Sequence, residues 1–156
     1  MPKTNIICLG KLKESYWREA EAEYLKRLKP FTKIEIRELK EEAFGEKDSP
    51  ETIKQKEADK ILNALPKTDD FIIALDEHGK QFSSTELAKQ LSQTQTRKNI
   101  TFIIGGPLGL HSSVRQKADL ELSLSPLTFT HQMCRVFLLE QIYRALMING
   151  GRKYHY

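Results

Sequence analysis

Hydrophobic positions recur along this chain with two periods, and the switches between them mark out its elements. Asn5–Leu9 is a short apolar strand that stops at Gly10. Ser15–Leu28 places Tyr16, Trp17, Ala20, Tyr24 and Leu28 near one face of a helix, and Pro30 follows its end. Ile34–Leu39 alternates apolar and charged residues, as a half-exposed strand does. Glu41–Pro50 is polar, carries Gly45 and reads as a loop; Pro50 then opens a helix to about Leu65, closed by Pro66. Phe71–Leu75 is a continuous apolar strand. Ser83 and Glu86 have the spacing of a capping box for a helix from Thr85 to about Leu91. Ile100–Ile104 is the next buried strand, with a glycine-rich loop after it. Ser112 or Ser113 caps a further helix that ends before the strand Leu120–Leu124, and Thr130 caps the last helix.

The last helix departs from the usual single apolar stripe. Met133, Val136, Phe137, Leu138, Leu139, Ile142, Tyr143, Leu146, Met147 and Ile148 cover well over half its circumference. Such a helix must be buried on two sides, by its own domain and by something else. A second copy of the chain is the expected cover, which makes the protein a homodimer through this helix. Its few polar residues (Gln132, Arg135, Glu140, Gln141, Arg144) are costly unless paired or used.

Continuous apolar strands separated by helices predict an α/β fold, a mostly parallel sheet with helices on both faces. No linker, repeat or low-complexity segment divides residues 1–156, so one domain is expected. In such sheets ligands sit beyond the carboxyl ends of the strands. That rule selects the loops after Leu75, after Ile104 and after Leu124.

Composition removes several classes. Twenty-five Lys and Arg against 21 Asp and Glu give a net charge of +4, a weak pointer to nucleic acid by itself. Its placement says more: from Leu122 to Tyr156, Arg135, Arg144, Arg152 and Lys153 face one acid, Glu140. The longest apolar run, Val136–Leu139, is far too short to span a bilayer. The N-terminus enters a strand with no signal-peptide pattern, and Cys8 and Cys134 read as reduced core thiols, so a cytoplasmic protein is expected. The four histidines lack close His or Cys partners, which predicts no metal.

The second loop, Gly105-Gly106-Pro107-Leu108-Gly109-Leu110, lacks GxGxxG spacing and a Lys-Ser/Thr pair, and Pro107 removes a donor. It is either a tight strand-to-helix turn or a place where backbone approaches a flat ligand closely. With Asp76–Lys80 and Ser125–Thr130, it offers mainly backbone polar groups and apolar side chains. That suits a neutral or cationic, partly aromatic ligand better than a polyphosphate.

These segments carry a resemblance. Leu75-Asp76, Phe102–Gly109, Leu122–Ser125 through Thr128-Phe129, His131-Gln132, Arg135, Gln141–Ala145 and the terminal Tyr154-His155 resemble the RlmH family of small SPOUT-class methyltransferases, as do Leu9–Lys13 and Tyr24–Leu28. The resemblance covers nearly the whole chain, and the order and spacing of its fragments are specific. It implies a C-terminal trefoil knot, a homodimer, S-adenosyl-L-methionine as cofactor, and methylation of N3 of a pseudouridine in a stem-loop of large-subunit rRNA. Fold rules alone argue against a knot.

Carried over residue by residue, the resemblance assigns the cofactor site to Leu75, Gly105, Leu124, Ser125, Pro126, Leu127, Thr128 and Phe129. It places RNA contacts at Arg135, Arg144, Arg152 and Lys153, with His155 and Tyr154 as the catalytic pair. His155 either takes the proton from N3 or positions the RNA by a hydrogen bond, and Tyr154 offers a ring for stacking. His131, beside the cofactor loop, reads as a structural hydrogen-bonding residue. Arg135 and Arg144 face RNA or pair with Glu140 across the dimer. The chain ends in Tyr156 where family members often carry Arg or Lys, which weakens any requirement for a terminal cation. Two other functions stay open: a SPOUT methylase of another RNA, such as a tRNA ribose methylase, and a non-catalytic RNA-binding or ribosome-assembly module.

Overall fold

Five strands, all parallel, lie in the order β2-β1-β4-β3-β5 in a computed structural model that describes residues 3–156. Along the chain the elements are β1 Lys3–Leu9, α1 Ser15–Leu28, β2 Lys33–Leu39, α2 Pro50–Ala64, β3 Phe71–Gln81, α3 Ser84–Gln95, β4 Ile100–Ile104, α4 Ser112–Lys117, β5 Leu120–Ser123 and α5 His131–Asn149. The alternation of strand side chains explains the layering. Ile6 and Cys8 of β1, Ile73 of β3, and Ile100, Phe102 and Ile104 of β4 join one core with α1, α3 and α5. Leu9, Ile72, Ala74 and Ile103 point the other way, to a second core with α2 and α4. The expected α/β architecture is thus observed, with a fully parallel sheet.

At the amino ends of the central strands a buried polar knot fixes the register. Asp70 accepts from Asn5 Nδ2 at 3.0 Å, from Thr101 Oγ1 at 2.8 Å and from Thr68 Oγ1 at 2.6 Å. These bonds tie β1 and β4 to the start of β3, and each buried group has a partner, which is what makes its burial tolerable.

Several local predictions match. Ser83 Oγ accepts from Glu86 N at 3.2 Å while Glu86 Oε2 accepts from Ser83 N at 2.7 Å, the reciprocal capping box. Thr130 caps α5 by accepting from Met133 N at 3.4 Å. At α4 the expectation fails. The cap is His111, whose Nδ1 accepts from Ser113 N at 3.1 Å, an imidazole doing what a hydroxyl usually does.

β3 also differs, because it does not end at Leu75. Leu75 pairs with Leu122, the chain steps out at Asp76 (whose Oδ1 accepts from His78 N at 2.8 Å), and Lys80 and Gln81 then rejoin β5 at Leu122 and Ser123. Gly79 makes the return feasible: a Cβ there would stand 2.6 Å from Glu121 O and 2.7 Å from its carbonyl carbon. Backbone cannot yield as a flexible side chain does, so Gly79→Ala should cost about 1–3 kcal/mol by overpacking. Urea unfolding checks this; an unchanged midpoint would mean the β3–β5 contact has slack.

Candidate functional site

The nineteen-residue helix α5 organises the candidate site, because the expected cofactor loop precedes it and the expected catalytic tail follows it. Its apolar circumference is covered mostly within the chain. α1 and α3 flank it and the sheet lies beneath, so Val136, Leu138, Leu139, Ile142, Ala145 and Met147 are buried. Ser84 Oγ donates to Gln141 Oε1 at 2.9 Å and Asn149 Nδ2 to Ala88 O at 2.9 Å, stitching α5 to α3. The inference that an all-round greasy helix needs an outside partner therefore loses most of its force. What stays open is narrower: Phe137 is 39% exposed, stacked edge-on against Phe129 at 5.2 Å between centroids.

Arg135 is not available to RNA. It is buried, with a bidentate pair to Glu21 on α1 and a 2.6 Å bond from Nη1 to Glu38 Oε2 on β2. Sequence could not separate this from an exposed cation, since both acids lie far away along the chain. Its neighbour Cys8 is pushed up to about 11, mainly by burial, and is an unreactive thiol.

The three predicted loops are partly drawn together. Ser123 Oγ donates to Glu77 O and to Ser125 O, each at 2.9 Å, and Thr128 Oγ1 bonds the Glu77 carboxylate. The segment after Leu75 is thus fastened to the segment Leu124–Phe129. Leu127 N donates to Ser125 Oγ at 3.0 Å, which holds the Leu127 side chain outward, 70% exposed. Among the described residues, no main-chain amide from Ser125 to Phe129 donates to another main-chain group. An exposed apolar side chain beside the uncommitted amides of Ser125, Thr128 and Phe129 fits a flat heterocycle with hydrogen-bonding edges. Pro126 has no amide to offer and lies exposed on the rim. Gly105 lies at the end of β4, where a Cβ would stand 2.9 Å from Leu110 Cδ2, so its smallness serves the loop's own packing before any ligand's.

At the far end of α5 the tail folds back on the helix. Tyr154 Oη donates to Glu140 Oε1 at 3.1 Å, and Arg144 binds the same carboxylate at 2.6 and 3.0 Å. Arg144 Cζ lies 4.8 Å from the Tyr154 ring centroid, and Tyr143 meets that ring edge-on at 4.8 Å. The Tyr154 ring is therefore already engaged, and Arg144 pairs with Glu140 of its own helix. Burial, with the Tyr24 hydroxyl and Glu140 beside it, pushes the Tyr154 phenol up to about 12, so it stays protonated. His155 Nδ1 lies 3.1 Å from Arg144 Nη1. A guanidinium only donates, so Nδ1 accepts, and in the neutral ring Nε2 carries the hydrogen. Arg152 covers Phe31 with its guanidinium 5.0 Å from the ring, while Lys153 is exposed.

His131, read from sequence as a structural hydrogen-bonding residue, has no hydrogen bond at its buried Nε2, which stops 3.7 Å from Glu41 Oε1. Sequence reasoning also missed Glu57, a charged residue at 4% exposure on α2, because a mid-helix Glu carries no signal of burial. Among the described residues, no helix is long and apolar enough to cross a membrane.

The buried Arg135 pair gives a direct test. Arg135→Ala should destabilise the fold by about 3–5 kcal/mol, because it strands Glu21 without its partner. Urea denaturation measures this; a loss under about 1 kcal/mol would mean that the pair behaves as a surface bridge.

The profile of a family described as predicted SPOUT methyltransferase matches residues 2–155. Among solved structures, the SpoU methyltransferase AviRb from Streptomyces viridochromogenes, in complex with the cofactor AdoMet, aligns with a TM-score of 0.46 at 12% identity. That alignment covers 96% of this chain and 58% of the other, so this chain spans little more than half of that protein's length. By the match of its family profile over nearly its whole length, the chain belongs to the SPOUT methyltransferase family.

Proposed function

We propose that this chain methylates N3 of a pseudouridine in a stem-loop of large-subunit rRNA, using S-adenosylmethionine and acting as a homodimer. The family supports methyl transfer, and the motifs shared with RlmH enzymes support the pseudouridine substrate. The observation that carries the reading is the separation of the two half-sites. Arg144 lies about 20 Å along α5 from Thr130 at the helical rise per residue. The tail is held at that end of the helix by Glu140 and Arg144, which supports placing it beside the loop Leu124–Phe129 of a second copy. Two copies pairing antiparallel through the open Phe137 stripe would bring each tail beside the partner's loop.

S-adenosylmethionine, when bound, would supply an electrophilic methyl group for in-line displacement by N3, the thioether leaving and the N3 proton passing to solvent water. Leu75, Leu124 and Leu127 would enclose its flat ring, and the amides of Ser125, Thr128 and Phe129, which donate to no other main-chain group, would read its polar edge. Arg144, fixed by Glu140, presents His155 with Nε2–H outward, a donor suited to a base carbonyl. His155 thus positions the base through Nε2–H, while Tyr154, held protonated by its buried surroundings, braces Glu140 and Arg144. Arg152 and Lys153 meet phosphates, a contribution screened by salt.

Removing residues from Arg152 onward should leave S-adenosylmethionine affinity within about twofold by calorimetry and abolish rRNA methylation, read by mass spectrometry of nucleosides. Wild-type methylation by the truncated protein would make the tail an idle terminus. A positioning role also predicts that His155→Gln, which keeps a donor, retains most activity where His155→Ala loses about tenfold or more. Equal losses in the two variants, with the rate regained at higher pH, would make His155 the proton acceptor instead.

A further inference from the structure

We propose that a second cleft, at the carboxyl ends of β1, β2 and β4, receives an unstacked nucleotide of the RNA, adjacent to the one that is methylated. The proposal rests on the reading of the chain as an RNA methyltransferase. The cleft has a volume of about 1020 Å³, ample for one nucleotide. It does not include the loop Leu124–Phe129, yet it shares the glycine-rich loop after β4. Gly105 follows the strand, and Pro107 and Leu108 line the cleft.

Its buried feature is Glu57. Oε2 accepts from Glu42 N at 3.3 Å, and Oε1, which is not among the buried unpaired atoms, is open to whatever occupies the cleft. Burial, reinforced by the nearby Glu41, raises its pKa above the usual carboxylate range. A largely buried carboxyl group that shows one oxygen to the cleft is stabilised by a ligand that brings it an N–H donor in place of water. Glu57 lies close against the glycine-rich loop: a Cβ on Gly106 would stand in ordinary contact with its Oε2 at 3.5 Å.

The walls and mouth narrow the identity of that ligand. Phe44, in the β2–α2 loop, is 54% exposed and gives the cleft an aromatic face. Lys11, Lys13 and Lys40 line the cleft with no carboxylate at ion-pair distance among the described residues, whereas the acids beside them are engaged elsewhere, Glu38 with Arg135, Glu42 with Lys60, and Glu41 near His131. Lys60, the fourth lysine of the lining, is spent on Glu42 at 2.7 Å. The fitting occupant has a flat ring for Phe44, an N–H edge for Glu57 and an anionic group for the lysines. A nucleotide unstacked from an RNA loop has all three. A basic peptide would satisfy Glu57 but meet repulsion at the mouth.

The test uses the full-length protein, a fluorescently labelled rRNA stem-loop and S-adenosylmethionine. Phe44→Ala and Glu57→Gln should each weaken RNA binding by about tenfold, the scale of one lost stacked base, while cofactor affinity is unchanged. Lys67→Ala, which removes an exposed cation outside the cleft, sets the background. Phe44 is exposed enough that its truncation tests the idea even if Glu57→Gln fails to fold. RNA substituted with 4-thiouridine should crosslink to Phe44 or to the mouth lysines. RNA affinities within twofold of the Lys67→Ala control, or crosslinks confined to the tail and the loop Leu124–Phe129, would overturn the cleft. Wild-type methyl transfer measured alongside keeps the two ideas distinct. Activity without cleft binding sinks only the cleft, whereas cleft binding without methyl transfer sinks the enzymatic reading.

Discussion

Arg135 sits buried between α5, α1 and β2, and the rest of the site depends on where it holds the helix. Its guanidinium is matched by Glu21 and Glu38, one acid on each neighbouring element. Sliding or rolling α5 by one residue would separate charges inside a poorly solvated environment, where an unmatched ion costs several kcal/mol. The hydrophobic contacts of α5 with α1, α3 and the sheet are larger in area but non-directional. Many packings would bury the same leucines. The ion pairs and the stitches to α3 choose one.

That choice fixes both ends of the helix at once. The N-terminal end carries the loop with its unspent amides and exposed Leu127; the C-terminal end carries the cluster Glu140, Arg144, Tyr154 and His155. The helix keeps the two ends apart along its length, which is why the proposed site draws on more than one copy. The small open stripe around Phe137 is then more informative than the greasy circumference the sequence advertises. Most of that circumference is cover for the protomer's own core, and only the remainder is available for association.

Local signals were legible because their physics is local. A capping box needs Ser83 and Glu86 at a fixed spacing, and a helix start needs Thr130 before an apolar run, so both could be read without knowing the fold. Continuous apolar strands announced a sheet covered on both faces. The failures are non-local. The return of β3 beyond Leu75 depends on Gly79 meeting the backbone of β5, and the cap of α4 depends on His111 choosing its rotamer. Arg135 and Glu57 were misjudged or missed for one reason: burial of a charge is decided by partners far away in sequence. The segment holding Ser125 and Thr128 was legible as a loop, but the bonds that fasten it to Glu77 were not.

The central claim is that a working site takes its cofactor loop from one protomer and its tail from another. Mixing subunits measures it directly. A protein truncated before Arg152 and a full-length protein carrying a bulky residue at Leu127 should each be inactive alone. Refolded together, they should form heterodimers that contain one intact pair of half-sites and regain methylation of rRNA, approaching about half the wild-type rate per active site-bearing dimer. Full activity of either variant alone, or no recovery in heterodimers verified by mass, would contradict the account.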